Sequence, residues 1–240
     1  MTQHQRKRVY NEAAPWAGAD GYGVALDTRS MHTPGGNLLT LASWPLAEAV
    51  AAEWDAQAET IDPRAMPLTR LACTLHDRVV PQWRVVADTV LAHAETDLLC
   101  YRADSPAELV AREAEAWDPP LAWAAETLGA PLRTQKGILP LHQPQGSLDA
   151  LAEVVQGLSP EGVTALQSVT GISSSLVLGL ALVHGYLDAA AVTDAAHVDE
   201  DYQAEQWGTD DEALTWRAMR AADIAAAERF LALAEQDAPA

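Results

Sequence analysis

The spacing of apolar residues changes once along this chain, and that change limits the fold to a small β-rich unit followed by helices. In the first forty residues, Tyr22, Val24 and Leu26 alternate with small residues after the turn signal Asp20-Gly21. Asp27-Thr28-Arg29-Ser30 marks a second turn, and Met31 and Thr33 carry the alternation on until Pro34-Gly35-Gly36 breaks it. Residues 37–41 offer another short strand, and residues 8–11 an edge. Ser43 or Trp44 then leads into a helix from Pro45, with Leu46, Val50 and Trp54 on one stripe.

From about Pro81 the pattern is helical. Trp83, Val86, Val90 and Leu91 form one face, and residues 97–102 read as a short extended piece. Ser105-Pro106-Ala107-Glu108 predicts a capping box with Pro at the first helical position. Asp118-Pro119-Pro120 should kink or restart that helix, because each proline removes an amide donor. The helix should end near Gly129, with residues 130–146 as a connector. Ser147 and Ser159-Pro160 should cap two more helices, and Asp188 one that runs to Gly208. Thr209-Asp210-Asp211-Glu212 should open a last helix reaching about Glu235, with frayed ends at 1–5 and 236–240. The expected fold class is therefore α+β. A small domain of antiparallel strands and a helix spans residues 1–78, and an all-α domain spans residues 79–240.

The formal charge of −19 is unevenly placed, −3 over residues 1–77 and −16 over residues 78–240. So acidic a chain, with sparse basic residues, is unsuited to nucleic acid or an anionic lipid surface. Two cysteines, Cys73 and Cys100, form no CxxC and no disulfide framework, and read as reduced, buried small residues in a reducing compartment. Residues 172–187 are the most apolar window but contain Ser173, Ser174, Ser175 and His184 and fall short of a bilayer span. Arg6, Lys7 and Arg8 precede no apolar run, so no signal peptide is read. The expected location is the cytoplasm.

Residues 199–212 hold seven carboxylates, no Lys or Arg, and both Tyr202 and Trp207. Such a face suits a basic, partly apolar protein surface. Capping accounts for Asp210, Asp211 and Glu212. Asp199, Glu200 and Asp201 lie, on this reading, deep within a helix begun at Asp188, where crowded like charges point to function. No EF-hand fits, because the sixth residue from Asp199 is Ala204 rather than Gly. Gly171-Ile172-Ser173-Ser174-Ser175 has no Lys of a phosphate loop, and its small residues are expected to let two helices approach. No GxSxG elbow and no HExxH are found. Trp54, Trp83, Trp117 and Trp123 fall on apolar faces and read as core, whereas Trp207 and Trp216 border the acidic helices as candidate anchors. Two other readings compete with a protein-binding one. A metal-dependent or other small-molecule enzyme would need His93, Asp97 and His197 to converge, and a standing subunit of a larger complex would need only a permanent interface.

Several segments taken in order resemble the ATP-twelve family of chaperones that assemble the catalytic F-one head of ATP synthase. They are Ala51-Ala52-Glu53-Trp54-Asp55-Ala56-Gln57, Met66-Pro67-Leu68-Thr69-Arg70-Leu71-Ala72-Cys73-Thr74, Thr96-Asp97-Leu98-Leu99-Cys100-Tyr101-Arg102, Trp117-Asp118-Pro119, and Asp199-Glu200-Asp201-Tyr202-Gln203 leading to Gln206-Trp207-Gly208. The resemblance implies a β-rich N-terminal unit ahead of a helical domain. It also implies binding of the free α subunit before the β subunit arrives, which shields an aggregating surface without catalysis or cofactor. It maps the family's acidic helical motif onto Glu200, Asp201, Tyr202, Gln203 and Trp207. The residues expected to bind the client are Glu200, Asp201, Tyr202, Glu205, Trp207 and Trp54, in a bacterial, cytoplasmic, monomeric protein that neither binds nucleic acid nor inserts into membranes. Asp201 departs from the resemblance, which implies a longer Glu there.

Overall fold

The computed structural model describes residues 6–19, 21–137, 139–208 and 210–236. The ends at 1–5 and 237–240, Asp20 of the first turn signal and Thr209 of the last capping box lie outside the described residues. The chain divides into two compact units, one formed by Met1–Trp83 with Arg229–Ala240, the other by Arg84–Glu228.

The first unit begins with the antiparallel meander β1 (Ala13–Gly18), β2 (Gly21–Leu26) and β3 (Arg29–Ser30), in that order across the sheet. Asp27 turns β2 into β3 with φ of 54°, and its Oδ1 accepts from the Asn11 and Glu12 amides. Residues 37–41 extend the sheet only through single bridges, His32 to Leu38 and Tyr22 to Leu41. The edge at residues 8–11 pairs elsewhere: Arg8 N donates to Glu59 O and Ile61 N to Arg6 O. Helix α1 (Trp44–Asp55) starts where Ser43 Oγ accepts from Leu46 N at 3.1 Å. It buries Leu46, Ala47 and Val50 in a core that holds Val24, Leu39 and Leu41.

Helical structure starts before Pro81. Helix α2 (Pro67–Thr74) runs into a π turn at Leu75–Val79, and α3 (Trp83–Leu91) follows. The start of α2 is capped from α1, because the Glu53 carboxylate accepts from Leu68 N, Thr69 N and Thr69 Oγ1 at 2.7–2.8 Å. Two of the segments that carry the family resemblance are thus one interlocked device.

The second unit continues with β4 (Tyr101–Arg102), α4 (Ala107–Thr127), β5 (Gln135–Lys136), α5 (Gln145–Gln156), α6 (Pro160–Ser173), α7 (Leu176–Val183), α8 (Ala189–Ala196), α9 (Val198–Trp207) and α10 (Asp211–Ala234). The last turns of α10 belong to the first unit, where Ser43 Oγ donates to Leu233 O. A core of Leu151, Val155, Leu166, Leu176 and Leu180 packs with Ala87, Val90 and Ala94. No helix among the described residues is long and apolar enough to cross a membrane.

Several local expectations need correction. Residues 97–102 are extended only at β4, which pairs in parallel with β5, because the Asp97 carboxylate caps a 3₁₀ turn at Leu98–Cys100. No capping box forms at Ser105: Pro106 itself takes the cap position of α4, which leaves Ser105 one residue too far back. Helix α4 does not restart at Pro119-Pro120 but continues through them. The buried Trp117 indole donates to Ala195 O at 2.7 Å, and packing of this kind offsets two missing amide donors. Ser147 lies inside α5, which opens after Pro144, and its Oγ donates to Pro131 O instead. Ser159 does cap α6. The close helix approach is not at Gly171, around which there is open space. It is at Gly179, where an added Cβ would lie 2.5 Å from Thr170 Oγ1 and 2.8 Å from Leu166 Cδ1. Of the four tryptophans read as core, only Trp117 is fully buried, while Trp54, Trp83 and Trp123 are half-buried.

Candidate functional site

Asp188 caps α8, as its sequence position suggests, with Oδ1 accepting from Ala191 N at 2.8 Å. The helix does not run on to Gly208. It stops at Ala196, because His197 takes φ −119°, ψ 17° and its Nδ1 bonds to Thr193 O at 2.7 Å. A new helix, α9, begins at Val198. Asp199, Glu200 and Asp201 therefore occupy a first turn, not a helix interior. Unpaired amide N–H groups there favour carboxylates, so part of the crowding has a structural cause.

Each carboxylate then meets a different fate. Asp201 is held by Arg217 of α10, at 2.8 Å from Nε and 2.5 Å from Nη2, and the same guanidinium reaches Asp194 at 3.3 Å. Glu205 pairs with Arg112 of α4 at 2.7 Å, and Arg112 also takes Glu108. That guanidinium holds the Glu205 carboxyl below its ordinary range. Asp199 turns inward toward Glu113 of α4, and burial pushes both carboxyls up. Glu200 alone of the first-turn trio is exposed without an ion pair among the described residues.

Tyr202 is not surface material. Its ring is buried in its own unit with the Arg112 guanidinium 5.3 Å from the centroid, so it braces α9 against α4. Trp207 is 79% exposed at the end of α9, just before Gly208 at φ 83°. Asp210 Oδ1 caps α10 through Ala213 N. Beyond it Leu214, Trp216 and Met219 are exposed, Trp216 by 56%. Glu200, Asp201, Ala204, Ala213, Leu214, Trp216, Arg217 and Arg220 line a groove of about 560 Å³ between α9 and α10. Trp54 lies in the first unit.

Two of the three residues of the enzyme reading are engaged otherwise, and the third, His93, is half-buried in the 3₁₀ turn Ala92–Thr96. Asp97 is fully buried, with Ser175 Oγ, Leu99 N and Val177 N bonded to its carboxylate. His197 is buried at the α8–α9 break. Among the described residues no group of three or more His, Cys, Asp or Glu side chains is placed to hold a metal. Leu214, Met219 and the two arginines that fix α9 escape sequence reading, although Gly208 followed by an acidic cap signals the hairpin that joins α9 to α10.

The chain matches the profile of the family described as ATP12 chaperone protein over residues 7–125. It superposes on the crystal structure of Atp12 from Paracoccus denitrificans with a TM-score of 0.89 and 42% identity, covering 96% of this chain and 99% of that one. This chain belongs to the ATP12 chaperone family. The Atu1473 protein from Agrobacterium tumefaciens also superposes with a TM-score of 0.89, at 37% identity, over 95% of this chain and 85% of its own. The mitochondrial protein atp12 of Schizosaccharomyces pombe is 22% identical over 200 residues, 78% of this chain and 68% of that protein. As in the ATP12 crystal structure from Paracoccus, a small antiparallel sheet precedes a mostly helical remainder. The family and its solved members are chaperones rather than enzymes.

Proposed function

We propose that this ATP12-family protein is an assembly chaperone for the catalytic F-one head of an F-type ATP synthase. It holds the free α subunit and keeps it from aggregating until the β subunit associates. One observation carries this reading: exposed Leu214 and Trp216 line a groove with Glu200 and Asp201, Trp207 and Met219 are exposed on the same two helices, and a monomeric protein has no internal use for that apolar area. Aromatic side chains supply contact area at low entropic cost, and Glu200 with the neighbouring carboxylates speeds and orients encounter with a basic surface. Asp201 and Glu205 act one step back, holding α9 in place through Arg217 and Arg112. No cofactor takes part, and release needs only that the permanent partner bind the α subunit more tightly. The protein works as a monomer in the bacterial cytoplasm.

The test is co-expression with the α subunit. Trp207→Ala with Trp216→Ala is expected to move most of the α subunit into the pellet while the chaperone itself stays folded. Unchanged α-subunit solubility with this double variant would refute the reading.

A further inference from the structure

The first unit carries a second groove, of about 690 Å³, whose charge is opposite to that of the molecule. Its apolar lining is Val9, Leu26, Met31, Ile61 and the half-buried Trp54. Val9 is 90% exposed, an unusual state for a valine facing a concavity. Arg6, Lys7, Arg29 and His32 stand around it, all exposed.

Three features separate these cations from ordinary surface charge. First, their neighbour Arg8 shows what a structural arginine does here, since it bonds Asp55 and the carbonyls of Tyr10, Asn11, Asp55 and Gln57. Arg6, Lys7 and Arg29 have no ion pair among the described residues, in a chain with 34 carboxylates available. Second, Asp27 is the one carboxylate among the lining residues, its Oδ1 accepts from the Asn11 and Glu12 amides, and the three cations outnumber it. Third, the half-buried Trp54 lines the same groove, so an apolar aromatic surface lies beside the cations.

We propose that this groove binds an acidic, partly apolar segment of another protein. Its carboxylates would face Arg6, Lys7 and Arg29, and its apolar side chains would rest on Val9, Leu26 and Trp54. The volume lies within the range of ligand sites, and charge-assisted hydrogen bonds to Arg are the strong kind. A short segment with a few carboxylates suits the site better than a nucleic acid, because the chain's net charge of −19 repels a dense polyanion at long range. No residue of α9 or α10 lines the groove, so this site is independent of the chaperone surface proposed above.

The test uses the full chain and a fluorescein-labelled octapeptide of alternating Glu and Leu, read by fluorescence anisotropy. Saturable binding is expected, weakened at least tenfold by Arg6→Glu with Lys7→Glu and Arg29→Glu. A control with the same change in net charge, Arg84→Glu with Arg133→Glu and Lys136→Glu, is expected to stay within about twofold of wild type. Circular dichroism checks that both variants fold. No saturable binding, or an equal loss in the two triple variants, overturns the proposal. So does tighter binding of a single-stranded oligonucleotide of equal charge that the groove variant abolishes.

Discussion

Glu113 of α4 and Asp199 of α9 bring two carboxyls together inside the second unit, where the charge of Asp199 disfavours ionisation of Glu113. Asp199 Oδ1 is buried with no hydrogen-bond partner among the described residues, and Glu113 is 1% exposed and accepts from Ala103 N. Burial first, and then the Asp199 charge, push the Glu113 carboxyl up to about 7 from 4.5, against the pull of the Ala103 amide and Arg102. Glu200 adds further negative charge from the Asp199 side.

This pair makes stability fall as pH rises. Between about 4.5 and 7 the unfolded chain has released the Glu113 proton while the folded chain keeps it, so the folded state is favoured most below that window. Glu113→Gln removes the titration, keeps an acceptor for Ala103 and offers Asp199 a permanent donor. The variant is expected to be more stable than wild type above pH 7 by about 1–2 kcal/mol and close to it at pH 4.5. Urea unfolding across that range tests this, and parallel stability profiles for the two proteins would contradict it.

A second prediction concerns the clamp between α1 and α2. Glu53 satisfies two helix-start amides and the Thr69 hydroxyl with one carboxylate. Glu53→Ala should lower unfolding free energy by about 2–3 kcal/mol, and Thr69→Val, which deletes only the hydroxyl bond, by about 1 kcal/mol. Similar losses in the two variants would show that the amide bonds contribute nothing.

A third prediction separates two glycines. In Gly179→Ala the new methyl collides with Thr170 Oγ1 and Leu166 Cδ1, both on the facing helix α6, and the variant is expected to lose about 1–3 kcal/mol. Gly171→Ala meets open space near the end of α6 and should be neutral, or stabilising by up to about 1 kcal/mol. Thermal melts of the pair decide it, and equal shifts would refute the packing assignment.

The architecture was legible where a residue acts on its near neighbours. Ser43, Ser159 and Asp188 each bond an amide three residues on, and the alternation of Tyr22, Val24 and Leu26 survives in β2. Legibility failed where the deciding partner is distant in sequence. Trp117 reaches Ala195 and carries α4 past its two prolines, Ser147 is drawn to Pro131, and Thr170 crowds Gly179 rather than any residue of the Gly171–Ser175 run. The site suffered most from the unforeseen break at His197. A single helix from Asp188 makes Asp199, Glu200 and Asp201 an unexplained cluster. Two helices make them a first turn, with Arg217 and Arg112 supplying the remaining restraint.

Asp201 offers a way to tell a client contact from a residue that positions one. Its carboxylate is bonded twice to Arg217, and both side chains are about one-third exposed. Asp201→Lys places two cations face to face and should lower stability by about 1 kcal/mol, with α9 shifted and the α subunit held less well. Adding Arg217→Asp re-forms the pair with its charges exchanged. If Asp201 serves by fixing α9, the double variant should recover both melting temperature and α-subunit solubility on co-expression. Recovered melting with an insoluble α subunit would instead place the Asp201 carboxylate in direct contact with the client. Glu200→Lys is the companion measurement: with no ion pair among the described residues to break, it should cost only the first-turn carboxylate, about 0.3–1 kcal/mol, and slow association with the α subunit, most clearly at low salt.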